Sequence, residues 1–140
     1  MNPALLTVAS GIIKNITELC KKVLDAGDPE KYSSSIEQLN SGVSDTYEEM
    51  RNIIVSSKSF TDEEKLVKLE ELAKSESVAK ERCAEAVKGN REHISKITLE
   101  IFKGLLTCGL SFAPAIIKSL NLSLANEKEL LSLEDKKDIL

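Results

Sequence analysis

The spacing of helix start and stop signals constrains this chain more than any other feature. Asn2-Pro3 and Asp28-Pro29 each place an N-cap residue before a proline at the first helical position. Thr61, with Glu64 three residues on, makes a capping box, and Asp62 and Glu63 add negative charge where the helix dipole favours it. Gly27 suits a helix C′ position, a break falls near Lys58, and Gly89-Asn90 reads as a C-cap followed by a new N-cap. These breaks divide most of the chain into four segments of about 25 to 32 residues with short connections, as an up-down four-helix bundle requires. The alternative at Gly89 is one tolerated glycine within a helix from Thr61 to about Cys108. At 1.5 Å per residue that helix would run roughly 70 Å and project half its length beyond its partners, so length favours the turn.

Apolar periodicity fills each segment. The first carries Leu5, Val8, Ala9, Ile12, Ile13, Ile16, Leu19, Cys20, Val23 and Leu24, a wide helical stripe. The second repeats Tyr32, Ile36, Leu39, Val43, Tyr47, Met50, Ile53 and Ile54, and Gly42 inside it predicts close packing on a neighbour. The third has a thin stripe, Leu66, Leu69, Leu72, Ala73, Ala79, Cys83, Ala86 and Val87, interrupted by Glu76. The fourth runs from Arg91 to about Leu120 on Ile94, Ile97, Ile101, Leu105 and Cys108, with a second row at Leu99, Phe102, Leu106 and Leu110. Within it, Gly104 to Ile117 carries no charge. Such a stretch is short of the roughly 20 residues that span a bilayer, and Lys103 and Lys118 bound it, so it reads as a buried helix end. Pro114 disfavours helix at the residue before it and predicts a kink.

The expected fold is therefore all-α: an antiparallel up-down four-helix bundle over residues 1–120, its last helix kinked near Pro114, and a short, weakly helical C-terminal tail over residues 121–140 that either packs back on the bundle or binds a partner. With 41% hydrophobic residues, the chain has the material for a core, and with 4% aromatics and no Trp that core must be aliphatic. The N-terminus lacks a basic region ahead of its apolar residues and reads as a mature helix, which predicts a cytoplasmic protein.

The same residues narrow the function. A net charge of −4, with no basic stripe interleaved with aromatics, argues against nucleic acid as a partner. Cys20, Cys83 and Cys108 are odd in number and widely spaced, and read as free buried thiols. His93 is the sole histidine, and Asn90 stands where a Glu-x-x-His metal motif needs glutamate. Asp45 with Glu48, Glu70 with Glu71, and Glu81 with Glu85 offer oxygens for Mg²⁺, but Arg51, Lys74 and Arg82 accompany them as on solvated helix faces. No nucleophile motif or phosphate loop occurs. The pattern points away from an enzyme and predicts no cofactor.

What remains is surface. The first reading is a non-enzymatic protein–protein interaction module, an adaptor, inhibitor or oligomerising scaffold, whose tail offers Leu130, Leu131 and Leu133 to a protein partner or a second copy. The alternative is a membrane-active bundle, of the cell-death or pore-forming type, that inserts amphipathic helices into anionic lipid. Residues 1–26 and 89–120 sum to +1 and +2, against −3 for 28–59 and −2 for 61–88. The lysines of the basic pair, Lys14, Lys21, Lys22, Lys103 and Lys118, are its candidate lipid surface, which implies peripheral membrane association.

Overall fold

The computed structural model describes residues 3–109, with side chains from Thr7 onward. These form four helices: α1 Pro3–Asp25, α2 Pro29–Ser56, α3 Asp62–Val87 and α4 Glu92–Thr107. Each helix packs on the next, and α1 closes against α4, an all-α arrangement consistent with an up-down bundle. The kink at Pro114 and the tail lie outside the described residues.

The helix starts follow the sequence signals. Asp28 accepts from the Lys31 N–H at 2.8 Å, and Pro29 opens α2. At α3 the Thr61 hydroxyl accepts from the Glu64 N–H at 3.1 Å, while the Thr61 N–H donates to the Glu64 carboxylate at 3.0 Å. Hydrogen bonding to the carboxylate from the Thr61 backbone, and then from its side chain, holds the Glu64 carboxyl below the ordinary carboxylate range.

Three ends differ from expectation. Gly27 does not take the left-handed conformation; only Gly89 (φ 100°) and Gly109 (φ 80°) do among the described glycines. The end of α1 is closed instead by Arg91, whose guanidinium donates to the carbonyls of Leu24 at 2.9 Å and Ala26 at 3.2 Å. Asn90 is not the cap of α4: Arg91 holds that position, and no side chain caps the helix. The turn itself is present, with Gly89 N–H donating to Ala86 O at 3.0 Å and Gly89 left-handed, which ends α3 at Val87. Finally, α4 stops at Thr107 rather than near Leu120, so it is the shortest of the four at 16 residues. The cause is local: Gly109 turns left-handed and its N–H donates to Leu106 O at 3.0 Å.

A shared device closes three helix C-termini. Arg91 holds the last carbonyls of α1, Lys65 Nζ donates to Val55 O of α2 at 2.9 Å, and Lys68 Nζ donates to Thr107 O of α4 at 3.1 Å. Each cation comes from another helix or its cap. It satisfies carbonyls that lack an intrahelical partner and meets the negative end of the dipole. Arg91 also lies over the Tyr32 ring at 4.8 Å, and the Tyr32 hydroxyl donates to Ala86 O, so this end of the bundle joins all four helices.

The core is mostly aliphatic, with Tyr47 and Phe102 as its largest fully buried side chains. Ile12, Ile13, Ile16 and Val23 of α1 meet Leu39, Val43, Met50 and Ile54 of α2, and Ile94, Ile97, Ile101 and Leu105 of α4. Gly42 does pack closely: a Cβ there would run into the Leu19 side chain. Gly104 has the same role between α4 and α2, since a Cβ would stand 2.8 Å from Met50 Sδ. Where polar groups enter, they are paired. Tyr47 is fully buried, and its hydroxyl shares a 2.6 Å hydrogen bond with Ser75 and donates to Glu100 O at 3.2 Å. Burial pushes its phenol above the ordinary tyrosine range.

Candidate protein-docking surface

The third helix departs most from its expected stripe. Leu72, Ala79, Cys83 and Ala86 are buried as predicted, but Leu66, Ala73 and Val87 are exposed. At 100° per residue, Leu66 lies about 120° around the helix from Leu72, too far to reach the core. Glu76 does not merely interrupt the stripe: it takes an ion pair from Arg51 at 2.7 Å. Arg51 thus serves α3 rather than the Asp45–Glu48 face.

The large apolar side chains left in water lie on two neighbouring helices, three of them near the α2–α3 connection. Val55, Leu66, Val67 and Val87 are 58%, 69%, 56% and 58% exposed, and all four belong to the last turn of α2 or to α3. Val67 has an unusual setting. Its neighbours three and four residues away in both directions are Glu63, Glu64, Glu70 and Glu71, so an exposed valine is ringed by four carboxylates. A shallow concavity beside it is lined by Glu63, Glu64, Val67, Lys68 and Glu71. Val55 adjoins this region through the hydrogen bond from Lys65 to its carbonyl.

Cations do not neutralise the ring by ion pairing. Lys65 and Lys68, the two lysines within it, point to helix ends, and Lys68 also lies over the Phe60 ring at 4.5 Å. None of the ion pairs among the described residues involves Glu63, Glu70 or Glu71. The first-turn acids are explained by the helix dipole. Glu70 and Glu71, two turns further on, are not. Overall, α2 has five acidic side chains against two basic, and α3 eight against five, whereas α1 has three basic against two acidic.

Of the expected basic surface, the described residues place three lysines on α1 and one on α4. Lys14 and Lys22 are exposed on α1, and Lys21 is half-buried. Lys103 is exposed on α4, bonded to Glu100 at 3.3 Å. Because Arg91 meets the end of α1, Lys22 sits at the start of α4, and Lys103 lies about 18 Å further along that helix. Within α4 the two lysines are balanced by Glu92 and Glu100. Lys118, Leu130, Leu131 and Leu133 lie outside the described residues.

The remaining reactive groups have structural partners. His93 Nδ1 accepts from the Arg82 guanidinium at 3.0 Å. All three cysteines are free and buried. Burial raises the Cys20 and Cys108 thiols to about 12 and Cys83 to about 11, so they stay protonated and unreactive near neutrality. Among the described residues, no three His, Cys, Asp or Glu side chains converge as they would on a metal ion, and no helix is long and apolar enough to cross a membrane.

Fold and surface together define the class: a four-helix, all-α protein with an acidic, partly apolar outer face on its second and third helices. Compared with known proteins, the chain matches no family model, no curated protein and no solved structure.

Proposed function

We propose that this protein is a non-enzymatic protein–protein interaction module that engages its partner through the outer face of α3 and the adjoining end of α2. One observation carries the reading: of the four exposed large apolar side chains among the described residues, Val55, Leu66 and Val67 lie near the α2–α3 connection, and none lies on α1 or α4. Clustered exposed apolar side chains with a polar rim mark interaction sites on soluble proteins. Nothing in the core explains them, since Leu66 and Val67 point away from it.

The lipid-insertion reading has less support. It needs the apolar faces of α1 and α4, and these are already spent on the core. Ile12, Ile13, Ile16 and Val23 are buried in the closed bundle, so they reach lipid only after the helices separate. Insertion would require the bundle to open first.

A photo-crosslinking residue placed at Val67 or at Lys14 of the full chain, in the cells that make it, separates these readings. The interaction module predicts a discrete protein adduct at position 67 that disappears when Leu66→Ser is added. Adducts at position 14 with none at 67 would overturn it.

A further inference from the structure

Resting on that reading, we infer that the occupant of this surface is a cationic amphipathic helix of the partner, laid along the first turns of α3 with its apolar row on Leu66 and Val67. Charge and spacing argue for this occupant. The exposed apolar pair has Glu63 and Glu64 one turn below and Glu70 and Glu71 one turn above. The two carboxylate pairs are about 10 Å apart along the helix, on either side of one apolar step. A helix with leucines on one stripe and lysines a turn to either side presents the complementary pattern, with anchors at i, i+3 and i+4. A partner with acidic flanks would place like charges against Glu70 and Glu71, which have no ion-pair partner among the described residues to release. An uncharged apolar partner would leave these carboxylates facing its rim without compensation. Lys65 and Lys68 form no ion pair with the ring, since both ammonium groups hydrogen-bond helix C-termini, although the Lys68 charge still helps to lower the Glu64 carboxyl.

The test uses the full chain and a fluorescent synthetic peptide of lysine and leucine at helical spacing. Its controls are a scrambled peptide of identical composition and a glutamate–leucine counterpart. The helical Lys/Leu peptide is expected to bind, more weakly as salt rises, and the two controls not to. Leu66→Ser with Val67→Ser should weaken binding by about tenfold or more, as loss of a central anchor does. Glu70→Gln with Glu71→Gln should weaken it and flatten its salt dependence. Val87→Ser, which removes an exposed valine at the other end of α3, should leave it unchanged. Equal binding of the scrambled peptide, or equal loss in Val87→Ser, overturns the inference. So does no binding. If the peptide fails while the position-67 adduct is still lost on Leu66→Ser, the partner chemistry falls and the interaction surface stands. If neither responds, both fall.

Discussion

Helices α1 and α3 are of similar length, 23 and 26 residues, yet they divide their apolar residues differently. In α1 the large described side chains Ile12, Ile13, Ile16 and Val23 are buried and Val8, Leu19 and Leu24 pack against the core. In α3 only Leu72 among the large aliphatics is fully buried, Leu69 and Val78 are partly so, and Leu66, Val67 and Val87 stand in water. The core side of α3 is otherwise built from Ala79, Cys83 and Ala86, with Ser75 and Glu76 handling polar contacts. α3 thus contributes little large apolar surface inward and exposes more of it outward than α1 does among the described residues. On the reading proposed above, the difference separates residues that hold the fold from residues offered to a partner.

The largest expected effect sharpens the stabilising side. Ile97→Ala, at a fully buried position of α4, should lower unfolding free energy by about 2–5 kcal/mol in urea titrations, whereas Leu66→Ala should change it by no more than about 0.5 kcal/mol. A comparable loss at both positions would erase the distinction.

The buried thiols give a pH signature of the same core. The folded-state value of Cys20 is raised to about 12 from an ordinary 9.0, so its contribution is complete below pH 9 and is lost as pH rises towards 12. Stability should therefore decline through that window with a slope of about 1.4 kcal/mol per pH unit from this thiol alone. Cys108, raised to about 12, and Cys83, raised to about 11, steepen the decline. Urea midpoints that stay flat from pH 9 to 11 would mean the thiols are not shielded from water.

Arg91→Gln tests the end of the bundle. It removes the charge from two hydrogen bonds to the carbonyls of α1 and the cation over Tyr32, at a cost of about 1 kcal/mol. Faster amide exchange at the last turn of α1, with little change at Leu66, is the expected result. The smallest effect belongs to the outer face: Leu66→Ser with Val67→Ser should leave thermal stability within about 0.5 kcal/mol of the parent.

Much of the fold was legible in the chain because helix punctuation is local. Asp28-Pro29, the Thr61–Glu64 box and Gly89 act within a turn of themselves, and each does what its sequence implies. Helix ends set by distant residues were not legible. Gly27 suggested a C′ glycine, but Arg91, 64 residues later, closes α1. The length of α4 was overestimated because its apolar periodicity continues past Gly109, whose backbone conformation ends the helix regardless of hydrophobicity. The candidate surface was only half visible. Glu63, Glu64, Glu70 and Glu71 at three- and four-residue steps from Val67 can be read from the sequence, but counting Leu66 towards the core masked their meaning. Exposure depends on the angle α3 presents to α2 and α4, which a thin stripe leaves open.

The most direct test of the division between core and outer face is a methyl-resolved NMR titration of the full chain with the helical Lys/Leu peptide. The methyl signals of Leu66, Val67 and Val55 should shift together along one binding curve, while those of Ile16, Ile97 and Val87 hold still. Shifts concentrated on Leu19 and Leu99 of α1 and α4, with Leu66 and Val67 unmoved, would contradict it.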